Sequence, residues 1–254
     1  MEFHIRCDAD AIARYVFVPG DHDRAKKIAD AFDEAKLVSD SRGYMVYTGT
    51  VDGTRMTVAS TGMGGPQVAI GIEELAHMGA DTFIRVGSCG TLQDHVNVGD
   101  IIIPTGIVRG GATAHAYLPP AFPAAPNFDV LTALIQTAEA LSIPVHVGVG
   151  WSSDAFYAEA DPGYVAKLKQ AGVLSVEMEA DTLFVVSNFR GWRAGALFAN
   201  DGTSIEIKPV WGVGAFRRGE ARSVEIAIAA MKAIAVADAV AATDAVDRKG
   251  EGGV

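Results

Sequence analysis

The segment Phe83-Ile84-Arg85-Val86-Gly87-Ser88-Cys89-Gly90 holds the most chemistry per residue in this chain. A short apolar run carries one arginine and then a glycine-hydroxyl-glycine series that predicts a turn. A guanidinium inside a buried strand is costly unless an anion or a carboxylate meets it. The turn can aim backbone amides and the Ser88 hydroxyl at the same anion. These residues predict a phosphate pocket at the carboxyl end of a strand. The competing reading is an Arg85 paired with a core Asp or Glu, and the segment alone does not choose. Pro19-Gly20-Asp21 leads into a helix with Arg24 one turn in, and a helix amino terminus behind a Gly turn attracts anions. Arg42, just before Gly43 at a strand entry, is the other candidate. Taken singly, Arg24 and Arg42 read as solvated surface residues. Converging on one phosphate, two or three arginines would each contribute roughly 1.5–3 kcal/mol.

Three further groups complement that pocket. Val176-Glu177-Met178-Glu179-Ala180 puts two carboxylates around a methionine where a strand becomes a helix. Such carboxylates can bind sugar hydroxyls while Met178 lies against a sugar face. A helix amino-terminal carboxylate stabilised by the dipole accounts for one of the two, not both. Asp201, at a strand end before Gly202, suits a general acid beneath a mobile cover, the cover being the loop from Gly202 to Gly219 with Trp211 and Gly214; an ordinary Asp-Gly turn is the alternative. Phe156, in Ser152-Ser153-Asp154-Ala155-Phe156-Tyr157, offers a flat face for a base to stack on, or fills the core.

The elements that must position these groups follow from periodicity. Short apolar runs at Tyr15 to Val18, Thr82 to Val86, Asp100 to Ile103, Val145 to Val149, Val173 to Val176 and Ala196 to Ala199 predict buried strands. Asp52-Gly53 between Tyr44 to Thr50 and Arg55 to Ser60 predicts a hairpin. Helical patterns fall at Asp21 to Phe32, from the opening Gly62-Met63-Gly64-Gly65-Pro66 to a stop at Gly79, at Asp129 to Leu141, Asp161 to Gln170, Glu179 to Phe189 and Glu220 to Ala242. This alternation implies an α/β fold, a parallel or mixed sheet covered on both faces, with ligands at strand carboxyl ends. The 254 residues, 49% hydrophobic, suit one domain over residues 1–246, followed by a polar, Gly-rich, frayed tail over 247–254.

Composition removes several function classes. A net charge of −10 argues against a nucleic-acid surface, so an anionic ligand must rely on a few local arginines. Cys7 and Cys89 have no C-x-x-C spacing, as suits a reducing cytoplasm. The start lacks a leader pattern, and the apolar stretch from Val224 to Ala242, broken by Glu225, Lys232 and Asp238, reads as a packed helix without a membrane role. There is no P-loop, dinucleotide fingerprint, zinc spacing among the six histidines or Gly-x-Ser-x-Gly elbow.

In combination, these motifs resemble the nucleoside phosphorylase family that includes uridine phosphorylase and the oligomeric purine nucleoside phosphorylases, over about His4 to Ala242. The resemblance implies a three-layer α/β sandwich whose mixed sheet closes partly into a barrel. It implies a homo-oligomer built from dimers, usually a hexamer, with active sites shared between subunits. It assigns phosphate to Gly20, Arg24, Arg85 and Ser88, with Arg42 supplied by a neighbouring subunit. Ribose falls to Met178 and Glu179, with a neighbour's His4 at the 5′-hydroxyl. The base falls to Phe156 and Asp201, and Cys89, Gly90 and Glu177 are further nucleoside-binding candidates. Inorganic phosphate is the expected co-substrate, with no cofactor or metal. Ala158-Glu159-Ala160-Asp161-Pro162 stands where uridine phosphorylases carry a Gln-x-Arg pair. Gly43, Ser88-Cys89-Gly90 and Asp201-Gly202 are similar to the purine enzymes, whereas Ser60-Thr61-Gly62-Met63-Gly64-Gly65-Pro66 looks more like uridine phosphorylase. The expected reaction is reversible phosphorolysis of a purine (deoxy)ribonucleoside, Asp201 donating to the departing base. The alternatives are a pyrimidine phosphorylase, a water-using nucleosidase and a non-catalytic nucleoside-binding protein.

Overall fold

A computed structural model describes residues 2–203 and 212–251, with side chains described as far as residue 244. Among the described residues, nine strands form one sheet: β1 (Tyr15–Phe17), β2 (Lys36–Ser41), β3 (Tyr44–Val51), β4 (Thr54–Ala59), β5 (Thr82–Thr91), β6 (Ile101–Gly110), β7 (Val145–Ser153), β8 (Ser175–Glu177) and β9 (Arg193–Thr203). Their order is β2-β3-β4-β1-β5-β8-β7-β6-β9, and β9 also pairs with β5. That extra pairing closes β5, β8, β7, β6 and β9 into a five-stranded barrel. The expected mixed α/β sheet with partial closure is therefore what the chain forms.

Six α-helices among the described residues cover it: α1 (His22–Ala29), α2 (Gly65–His77), α3 (Phe128–Ala140), α4 (Pro162–Gln170), α5 (Ala180–Arg190) and α6 (Val213–Glu251). Local chemistry starts them. Asp21 accepts from the amides of Asp23 (3.1 Å) and Arg24 (3.3 Å). Asn127 caps α3 in the same way through Asp129 and Val130. Asp161 caps α4, with Pro162 at its first position. Asp52 and Gly53, both at positive φ, turn β3 into β4.

Alternation along the strands sorts the core into two faces. Val16, Val18 and Phe83 pack with Ile72 and Leu75 of α2 and Leu183 and Phe184 of α5. Phe17, Ile84 and Val86 pack with Ile28 of α1, Leu134 of α3 and Ile226, Ala230 and Met231 of α6. Within α6, Val213–Asp244 is long and apolar enough to cross a membrane by length and composition, with mean hydropathy 1.8. Its Val224, Ile226, Ala227 and Ile234 nevertheless lie in that second core face.

Three boundaries differ from expectation. α6 begins at Val213, seven residues before the Glu220 that its apolar pattern suggests, and stays helical to Glu251, so the frayed tail expected from residue 247 begins inside a helix. Strand β2, largely exposed and polar, carries no alternation signal and exists because β3 pairs with it. Part of the cover expected over Gly202 to Gly219 is the end of β9 and the start of α6. Its residues 204–211, Trp211 included, lie outside the described residues.

Candidate active site

Strands β1, β4, β5 and β9 run parallel, so their carboxyl ends share one edge. Gly20 follows β1, Thr61 and Gly62 follow β4, and Ser88 to Gly90 and Asp201 lie near the ends of β5 and β9. The glycine-hydroxyl-glycine turn expected after Val86 does not form. Strand β5 continues to Thr91, because β9 supplies ladder partners through Gly87↔Phe198, Ser88↔Ala199 and Cys89↔Asn200. The ladder then slips: Gly90 faces Gly202, leaving Asp201 as the extra residue of a bulge. A bulge re-aims one side chain without ending a strand. Asp201 is thus an in-strand residue, buried, at a carboxyl edge.

Arg85 is buried on the α2/α5 face. Its Nε donates to Glu177 Oε2 at 3.2 Å, and its Nη2 donates to Glu179 Oε2. The carboxylate-paired alternative is therefore realised, but only in part. Arg85 Nη1 is buried with no hydrogen-bond partner among the described residues. A buried orphan donor costs about 1–3 kcal/mol. It lies 3.8 Å from the point where a Cβ on Gly20 would stand, and that Cβ would come within 2.8 Å of the Gly62 carbonyl oxygen. Glycine at position 20 thus lets the Gly62 carbonyl approach beside Nη1.

Glu177 and Glu179 have different duties. Both Glu177 oxygens are engaged by protein donors: Ser152 Oγ, Arg85 Nε, and the amides of Glu179 and Ala180 at 3.0 Å. Glu177, expected against the nucleoside, thus accepts from the amides at the start of α5 and holds Arg85. Burial pushes its pKa up to about 7, against the opposing Arg85 charge. Glu179 accepts from the Gly64 amide at 2.5 Å and from Arg85, so the glycine loop before α2 and the strand arginine share one carboxylate. Met178, between them, is half-buried.

Arg24 reaches the same edge from α1. Its Nε donates to Glu220 at 2.8 Å, and its Nη1 lies 3.4 Å from the Val86 carbonyl. Arg24 and Asp201 line one cavity of about 240 Å³ with Asp21, Lys27, Phe216 and Arg217. Ser88 and Gly90 are half-buried on β5. Cys89 is buried, and burial, followed by the charges of Asp201 and Glu177, raises its pKa and keeps it a neutral thiol. Phe156 is no core residue: it is 53% exposed, with the Tyr157 ring edge-on at 5.0 Å.

His4 and Arg42 are not brought to Arg85. His4 Nδ1 is 2.6 Å from Glu74, which also accepts from the Ile5 amide at 2.7 Å. The Arg42 guanidinium lies over Phe3 at 5.9 Å, and Phe3 meets His4 edge-on at 5.0 Å. Among the described residues, no hydrogen bond or ring contact joins this cluster to Arg24, Arg85 or Glu179.

Sequence reasoning missed Glu220, which is 196 residues from Arg24 and carries no motif. It also passed over Asp154 as a tether: its Oδ2 accepts from the Ala112 amide at 2.7 Å, tying the Phe156 segment to the end of β6. Lys27 had one signal, its position one turn after Arg24 on α1.

A family model described as the phosphorylase superfamily matches residues 14–231. Uridine phosphorylase of Thermococcus kodakarensis is 43% identical over 215 residues, covering 79% of this chain and 78% of that protein. Guanosine phosphorylase of Halorubrum lacusprofundi is 39% identical over 202 residues, covering 80% and 83%. The crystal structure of uridine phosphorylase from Vibrio fischeri superposes with a TM-score of 0.85 at 32% identity, covering 90% of this chain and 95% of that one.

Proposed function

The chain belongs to the phosphorylase superfamily, and from that membership we propose reversible, phosphate-dependent cleavage of a nucleoside's N-glycosidic bond, with free base and (deoxy)ribose 1-phosphate as products. Its relatives make it an enzyme, a pentosyltransferase that uses inorganic phosphate as co-substrate. The observation that carries the reading is Arg85 Nη1, a buried cationic donor left open beside Gly20. A phosphate oxygen there completes the bonding of the guanidinium that also holds Glu179, the carboxylate the resemblance assigns to ribose hydroxyls. Held beneath C1′, the anion stabilises the oxocarbenium-like sugar as the base departs.

Uridine is the first substrate of this reading. Purines stand first on the sequence, but uridine phosphorylases recur among the relatives and reverse that order. A purine substrate remains the second reading on two observations. The guanosine phosphorylase of Halorubrum lacusprofundi is 39% identical, and Ala158 to Pro162 supplies neither a glutamine nor an arginine for a uracil edge. The separate cluster of His4 and Arg42 supports a homo-oligomer in which each chain lends these residues to a neighbour's site. A cytoplasmic salvage role accompanies this reading.

Free base released from uridine, guanosine, inosine and adenosine, with and without phosphate, tests it. Release only with phosphate is expected, fastest from uridine. Equal release in phosphate-free buffer makes the protein a nucleosidase, and binding without release makes it a non-catalytic nucleoside binder.

A further inference from the structure

Glu220 lies on α6, seven residues after its first residue Val213, and is buried to 5% exposure. One oxygen accepts from Arg24 Nε at 2.8 Å and the other from Lys27 Nζ at 2.6 Å. Arg24 and Lys27 are three residues apart on α1, on adjoining positions of one helix face. A single carboxylate thus gathers two like charges that would otherwise repel. Burial alone would raise its pKa, but the hydrogen bonds and charges of Lys27 and Arg24 outweigh burial and hold it below the usual carboxylate range. Glu220 is therefore ionised at neutral pH.

The cavity contains other acids that a loose Arg24 would find. Asp21, Asp23 and Asp201 line it alongside Arg24 and Lys27. Asp21 is committed to capping α1. Asp201 is the acid assigned to the departing base, and pairing with Arg24 would remove both groups from their roles. The Arg24 Nε bond to Glu220 fixes the guanidinium plane and leaves its far edge toward the middle of β5, where Nη1 meets the Val86 carbonyl.

We propose that Glu220 is the positioning residue of the oxyanion pocket, holding Arg24 toward the phosphate and away from Asp201. This role rests on the phosphorolytic reading above. Glu220 touches neither substrate; it acts through Arg24, with Lys27 sharing its charge.

The test is a set of variants assayed by steady-state kinetics and by calorimetry with inorganic phosphate. Glu220→Gln keeps the shape and removes the charge. It is expected to raise the phosphate KM and Kd roughly tenfold, the worth of one charge-assisted hydrogen bond. Nucleoside KM, and kcat at saturating phosphate, should stay within about threefold of wild type. Glu220→Asp, which keeps the charge on a shorter arm, should restore part of the phosphate affinity. Arg24→Ala combined with Glu220→Gln should match Arg24→Ala alone within about twofold, because the second change acts only through the first. An unchanged phosphate KM, a parallel rise of both KM values, or multiplying effects in the double variant overturns the proposal. If Glu220→Gln does not fold, phosphate affinity in Glu220→Asp decides, and a wild-type value there overturns it. A wild-type protein that releases base without phosphate overturns the functional reading as well. Wild-type phosphorolysis with an unaltered Glu220→Gln removes this proposal alone.

Discussion

Glu177 and Glu179, two residues apart, hold one guanidinium between them: Arg85 reaches the first through Nε at 3.2 Å and the second through Nη2. Two carboxylates on one cation give this buried group an excess of negative charge. Proton binding relieves it. Burial raises the Glu177 pKa from 4.5 to about 7, and the Glu179 charge adds to that while Arg85 and the Ser152 and Ala180 hydrogen bonds oppose it. Between those two pKa values the folded protein keeps a proton that the unfolded chain has released. Stability therefore falls as pH rises through that window. Thermal unfolding midpoints of wild type are expected to drop from about pH 5 to about pH 7.5, and those of Glu177→Gln, which cannot ionise, to drop less. Equal slopes would remove Glu177 as the titrating group.

Replacing Arg85 tests the anion pocket, but alanine is the wrong replacement. It strands two buried carboxylates and is expected to cost about 3–5 kcal/mol of stability. Arg85→Lys keeps a charge and gives up the fork that serves Glu177, Glu179 and the open Nη1 position together. The specificity constant for phosphate should fall roughly 10- to 100-fold, while nucleoside binding measured without phosphate changes by less than about threefold. A loss shared equally between the two substrates makes Arg85 a core residue and no more.

Phe156 is half in solvent, so shortening it should leave the fold alone. Phe156→Ala is expected to shift stability by less than about 0.5 kcal/mol. If the ring is where the base stacks, the nucleoside KM rises about 3- to 10-fold, corresponding to about 0.5–1.5 kcal/mol. Unaltered nucleoside kinetics would leave the exposed Phe156-Tyr157 pair without a ligand role.

Asp201 separates the two base classes. A departing purine accepts a proton or hydrogen bond at N7 and needs a donor at the bulge, whereas a pyrimidine has no N7. Asp201→Asn should slow purine phosphorolysis by roughly 10²–10⁴, with uridine turnover changed by less than about tenfold. Comparable loss on both substrates would tie Asp201 to the sugar or to the architecture of the bulge. Wild-type purine turnover would end its role as acid.

The reading of Arg85 shows how far one segment of sequence reaches. A lone cation in an apolar run must be met by something, so either an anion or a carboxylate was legible from desolvation cost alone. Carboxylates meet it, and which ones could not be read, because Glu177 and Glu179 arrive 92 and 94 residues later through the pairing of β8 with β5 and β7. The loop after Val86 was misread for a related reason. Glycine and serine favour turns locally, yet the ten-residue ladder with β9 keeps Gly87 to Gly90 in the strand.

The sequence by itself determined the alternation of buried strands and helices, the caps at Asp21 and Asp161, the Asp52-Gly53 hairpin and the residue types at each strand's carboxyl end. These are local consequences of periodicity, capping and backbone sterics, and they need no partner far along the chain. Only the tertiary structure decided that Asp201 bulges out of register opposite Cys89 and Gly90, that Glu220 holds Arg24, and that His4 and Arg42 gather around Phe3 apart from Arg85. Each depends on side chains tens to hundreds of residues apart meeting in a closed sheet, where geometry and charge pairing select among contacts that composition leaves equally open.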